Sequence, residues 1–173
     1  MGNQKFNIVS TQSSIDWVGR KVTGAHNGTI AVKEGELIVN DNKLIGGKVI
    51  VDVATIKILD VTDPTTNAQF AGHLASDDFF STEKYPEATL EITSVSGQHI
   101  LGNLTIKDIS HPVSFDAAVN INHDILIATG KLVIDRTKYE MKFRSGSFFK
   151  NLGDTLIYND FELHLTITAK IKN

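Results

Sequence analysis

Cysteine is absent from this 173-residue chain. That excludes a disulfide framework, a cysteine-ligated zinc site and a thiol nucleophile together. It leaves the compartment open, because a cysteine-free chain is stable in either redox environment. Long apolar runs are missing too: no window approaches the roughly 18 consecutive apolar residues of a spanning helix. Positive charge is in deficit, with 17 Lys and Arg against 20 Asp and Glu, a net charge of −3 and a pI near 6.0. A nucleic-acid binder shows the opposite balance. The N-terminal MGNQKFNIVSTQSS lacks the apolar stretch of a signal peptide, so the expectation is a cytoplasmic chain or one seen without its leader. There is no Gly-x-Ser-x-Gly elbow, and Ser145-Gly146-Ser147 reads as a loop. No phosphate-binding Gly-x-x-x-x-Gly-Lys-Ser/Thr loop occurs. The six histidines, at 26, 73, 99, 111, 123 and 164, form no paired metal-ligand spacing, so neither a metal nor a cofactor is expected. Repeats, low-complexity tracts and linkers are lacking as well, so residues 1–173 read as one domain.

What is present is a period of two. Phe161, Leu163, Leu165, Ile167 and Ala169 alternate with Glu162, His164, Thr166 and Thr168, as a half-buried strand requires. Val113, Phe115, Ala117, Val119 and Ile121 repeat the pattern, as do Ile100, Leu104 and Ile106, and Val49, Val51 and Val53. Turn residues punctuate these runs at Lys33-Glu34-Gly35-Glu36, Gly46-Gly47, Ser96-Gly97-Gln98 and Asn122-His123-Asp124. Short connections make successive strands antiparallel, and about eight of them suit a sandwich or a closed up-and-down barrel. One interruption is helical. Asp63-Pro64 reads as an N-cap and first position, and the helix runs to Ser76 with Phe70 and Leu74 on its inner stripe.

The run from Gly72 to Thr89, GHLASDDFFSTEKYPEAT, stops that helix, drops an aromatic pair and restarts as a strand. It resembles the signature segment of the YceI-like lipid-binding family. Gly102 to Val113 (GNLTIKDISHPV), Ile134 to Tyr139 (IDRTKY) and the closing stretch from Gly153-Asp154 through Asp160-Phe161-Glu162-Leu163 are similar to that family's later motifs, in order. Trp17-Val18-Gly19, Gly24 to Gly28 and Gly35-Glu36-Leu37 resemble one branch of it near the start. Two positions depart: Asp108 and Glu140 stand where the family often has glycine.

The resemblance implies an all-β, antiparallel up-and-down, lipocalin-like barrel with one short helix. It implies non-catalytic binding, and carriage or storage, of a long apolar lipid of polyisoprenoid or fatty-acyl type. It further implies a homodimer and a periplasmic or otherwise extracytoplasmic setting. The inward strand sets carry no charge, in keeping with an apolar tail. Trp17, His26, Phe70, His73, Leu74, Phe79, Phe80, Tyr85, Leu104, Phe115, Ile134 and Phe161 are the candidates for pocket wall or mouth. For the aromatics the alternative is core packing, and for His26 and His73 it is a loop-orienting hydrogen bond. Arg136, Lys138, Lys142 and Arg144 share one face if they lie on a strand, where they could clamp a diphosphate or form a solvated outer row. Asp135-Arg136 is alternatively an ion pair. Two other functions stay open: an interaction or stress-response module whose barrel is filled by side chains, and an enzyme using His73 or His26 with an aspartate.

Overall fold

The computed structural model describes residues 2–22, 24–143, 145 and 157–172. The strands are β1 (Gln4–Ile8), β2 (Ser14–Lys21), β3 (Gly24–Asn40), β4 (Lys43–Ile58), β5 (Glu87–Ser96), β6 (His99–Ile106), β7 (Ile109–Asn122), β8 (Ile125–Asp135) and β9 (Ile157–Ile171). From β2 onward each pairs antiparallel with the next, and β9 returns to β2, closing an eight-stranded barrel. β1 sits in the same slot as β2, between β3 and β9 but nearer the other end. Ser13 joins the two pieces: its hydroxyl donates to the Val9 carbonyl at 2.8 Å and accepts from the Thr168 amide at 3.0 Å. Closure gives each of these eight strands a partner on both sides, which is how such sheets avoid edge-to-edge pairing.

The helix α1 (Pro64–Ala75) begins where its cap signals place it. The Asp63 carboxylate accepts from the Thr66 amide at 2.9 Å and from its hydroxyl at 2.6 Å. Asn67 donates to the carbonyls of Ile58 and Val61, fastening the first turn to the end of β4. Leu74 is the buried residue of this helix. Among the described residues no helix is long and apolar enough to cross a membrane.

Two of the expected turns are not turns. Lys33-Glu34-Gly35-Glu36 runs through β3, and Gly46-Gly47 lies inside β4. At Gly35 a Cβ would stand 2.4 Å from the Lys48 carbonyl oxygen, so the glycine permits close approach of two bent strands. Gly47 lies on the other side of the same approach, and the β3–β4 register shifts nearby, between Val32 and Glu34. The hairpin turns instead at Asp41-Asn42, both with positive φ, as a two-residue loop demands. The turns at Gly97 and His123 stand where the sequence puts them.

The basic row also takes another form. The chain leaves β8 after Asp135 in a 3₁₀ turn, Arg136–Tyr139, so alternate residues no longer share a face. Arg136 and Tyr139 turn inward and are buried, while Lys138 points out. Asp135 forms no ion pair with Arg136; its carboxylate caps the turn through the Thr137 amide at 3.0 Å. Asp108 and Glu140 both adopt left-handed backbone, φ 61° and 62°. Glutamate is costly there and glycine is not. Glu140→Gly is therefore expected to raise stability by about 1 kcal/mol, read as a higher denaturant midpoint at unchanged slope.

The barrel is packed solid at the β1 end, where Phe6, Val39, Leu126 and Ala169 are wholly buried. Leu104, Phe115 and Ile134 are buried in the same continuous core, Ile134 opposite Phe161 toward the other end. The other end differs.

Candidate functional site

Beneath α1, between the starts of β3 and β9 and the ends of β2 and β4, lies a cavity of about 550 Å³. Its wall is aromatic. Trp17 lies flat against Gly28 and donates its Nε1–H to the Lys57 carbonyl at 3.1 Å. Phe70 of α1 faces it at 6.5 Å between ring centroids, and Phe80 meets Phe161 at 6.3 Å. His73 is wedged edge-on between Phe79 and Phe143, at 5.1 and 4.6 Å. The rim is polar and exposed: Arg20, Lys21, Thr66, Gln69, Tyr158 and Asp160. Arg20 is held by Glu162 at 2.7 Å. An apolar interior with a few polar groups at the mouth is the usual form of a small-molecule site.

Among the described residues one cation lies inside. Arg136 is 4% exposed, and its guanidinium donates to the carbonyls of Tyr158, Met141 and Ile157 at 3.0, 2.5 and 3.0 Å. It also stacks over the Phe79 ring, 5.7 Å from the centroid. Burial pulls its pKa down to about 10, against the opposing pull of Asp135, so it stays charged at neutral pH. Close by, burial pushes the Tyr139 phenol up to about 12, and its hydroxyl donates to the Leu104 carbonyl at 3.3 Å. Lys107 latches two loops from outside, donating to the carbonyls of Asp77 and Glu140 at 3.3 Å each. Burial lowers that ammonium, with Glu140 and Asp77 opposing.

The two histidines of the wall each hold an aspartate. His26 Nδ1 is 2.8 Å from Asp60 and packs edge-on against Phe70; His73 Nε2 is 3.1 Å from Asp78. These pairs tie both ends of α1 to its surroundings. Burial would raise the Asp60 carboxyl, but the Asn27 amide and His26 outweigh it and hold it below the ordinary carboxylate value. A depressed folded value means stability that is present above the unfolded value near 4 and is lost as pH falls through the folded one. Thermal melts of Asp60→Asn and the parent chain are accordingly expected to differ above about pH 5 and to converge on acidification.

A family model for the YceI-like domain matches residues 6–169. The chain belongs to the YceI-like family. A UPF0312 protein of Staphylococcus aureus is 35% identical over 97 residues, which are 52% of this chain and 57% of that one. The match spans between 39% and 57% of the length of such curated relatives. Among solved structures, a polyisoprenoid-binding domain from Saccharophagus degradans superposes with a TM-score of 0.73 at 11% identity, covering 96% of this chain and 98% of that one. BcnA of Burkholderia cenocepacia gives 0.69 at 19% identity, covering 94% and 99%. These two likenesses are of fold.

In this YceI-like domain the cavity gathers Trp17, His26, Phe70, His73, Leu74, Phe79, Phe80, Phe161 and Arg136 from the sequence candidates. Tyr85 does not line it; its amide closes a turn onto the Ser81 carbonyl at 2.8 Å. Leu104, Phe115 and Ile134 pack in the core instead. Lys138 is solvent-facing, Lys142 pairs with Glu140 at 3.3 Å, and Arg144 lies outside the described residues. Sequence reasoning missed Gly19, Ile30, Ile56, Met141, Phe143 and Ile157 as wall residues. Gly19 was legible in principle: it is two residues from Trp17 on the same face of a strand. Met141 and Phe143 were not, because they follow an inward fold of the chain that has no periodic signature.

Proposed function

We propose that this YceI-like domain binds one long apolar chain, of polyisoprenoid or fatty-acyl type, in the cavity beneath α1 and carries it unchanged. The observation that carries this reading is an aromatic cavity with a polar rim at one end of a barrel that is solid at the other. Each buried methylene contributes about 0.8 kcal/mol, so ten carbons offer roughly 8 kcal/mol before ordering costs. The head group sits at the rim near Arg20 and Lys21, or against Arg136. Carriage, an extracytoplasmic setting and a homodimer belong to the same proposal and rest on the resemblance.

The enzyme reading finds its histidine–aspartate pairs but no nucleophile beside them. Among the described residues the wall holds no serine, and the Thr66 hydroxyl is committed to Asp63. His73→Ala abolishing turnover of a small ester while sparing lipid retention would revive it.

Trp17, the sole tryptophan, stands in the cavity wall and reports directly on occupancy. Delipidated protein titrated with farnesol and with palmitate is expected to change its Trp emission saturably, at one ligand per chain by native mass spectrometry. Folded protein that ignores both would end the proposal.

A further inference from the structure

We infer that the cavity holds at most about twenty carbons of an apolar chain, and that Gly19 sets this capacity. The inference rests on the lipid-binding reading above. At the packing density of a protein interior a methylene occupies roughly 27 Å³. The 550 Å³ beneath α1 is therefore filled by about twenty of them, or four isoprene units. The chain has no way onward into the barrel. No wall residue comes from β5, β6, β7 or β8, and the inward side chains at the far end are wholly buried. Ile30, Phe79 and Met141, exposed by 6, 8 and 1%, close the inner side.

Gly19 is an unusual strand residue. It pairs with His26 on β3 and Phe161 on β9, both wall residues. Its φ is not positive, so the backbone does not require glycine. A Cβ there would meet only the Trp17 ring, at an ordinary 3.8 Å. A side chain fits sterically and would occupy ligand space. The β2–β9 register shifts just beyond it, between Gly19 and Lys21; glycine in a strand marks such a bulge or a close approach, and since its φ tolerates a side chain, the free space it leaves is open to the bound chain.

The test is a series of prenyl alcohols of increasing length: geraniol, farnesol, geranylgeraniol and octaprenol, titrated by Trp emission in detergent-free solution. The expected result is a gain of at least about tenfold in affinity per isoprene unit up to geranylgeraniol, then a plateau with octaprenol within about threefold of it. Gly19→Leu, whose four added carbons take roughly 100 Å³, moves the plateau one unit shorter: geranylgeraniol binds at least about tenfold more weakly and farnesol is unchanged. Gly19→Ala, the gentler variant, gives a smaller shift in the same direction. Affinity that climbs steadily to octaprenol overturns the capacity limit. An unaltered series in folded Gly19→Leu overturns the role of Gly19. Failure of every alcohol to bind folded parent protein removes the lipid-binding reading itself, a result distinct from either.

Discussion

Arg136→Met is expected to cost about 3 kcal/mol of stability, and Arg136→Lys to recover little of it. The guanidinium is the partner of three carbonyls beside the cavity, those of Met141, Ile157 and Tyr158. Each buried acceptor left unpaired costs about 1–3 kcal/mol. Against this, removing the charge returns the cost of burying it. A pKa drawn down from 12.5 to about 10 corresponds to roughly 3 kcal/mol of disfavoured charge. Three lost partners outweigh one relieved charge. Lysine is no substitute, because its ammonium cannot reach three diverging acceptors with a planar fork. For a chain of this size the loss amounts to a melting temperature lower by about 10 °C. A loss under about 1 kcal/mol would mean that water takes the guanidinium's place, and the inner wall would then be wetter than its aromatic neighbours suggest.

Gly28→Ala is expected to be the other severe change. A methyl at this position would lie 1.7 Å from the Lys57 carbonyl oxygen and 2.7 Å from the Trp17 ring. The first of these is backbone and cannot swing aside. β3 and β4 must part, and Trp17 must lose its hydrogen bond to that same carbonyl. Overpacking of this kind costs about 3 kcal/mol or more. It carries a spectroscopic mark, because the displaced indole emits further to the red. Stability loss without an emission shift would place the strain in the strand pair alone.

The fold was largely legible because alternation is a local property. Phe161 to Ala169 and Val113 to Ile121 face inward as their period dictates, and Asp63-Pro64 starts the helix that its capping chemistry predicts. The errors share a cause. Gly35 looks alike in sequence whether it permits a turn or a close approach, and only the strand across from it decides. The basic row Arg136, Lys138, Lys142 and Arg144 shares a face only on a strand, and the chain leaves that period after Asp135. For the site, the aromatics were legible as candidates but their partners were not. His26 meets Asp60 across 34 residues, and Arg136 meets carbonyls that carry no side-chain identity at all. The split between a solid end and a hollow end depends on how many side chains point into one cross-section, which no single strand records.

The closing seam has a consequence for how the molecule is made. It pairs Ser14 with Thr166 and Gly19 with Phe161, residues about 150 apart in sequence. On a ribosome the seven earlier strands can register with one another as they emerge, but the wall cannot shut until the last one is released. Until then β2 offers an unpaired edge, the situation that invites association with a neighbouring chain. Such long-range pairing also places the barrel among slowly folding topologies. The protein's most vulnerable interval is thus the one between the synthesis of β8 and the arrival of β9.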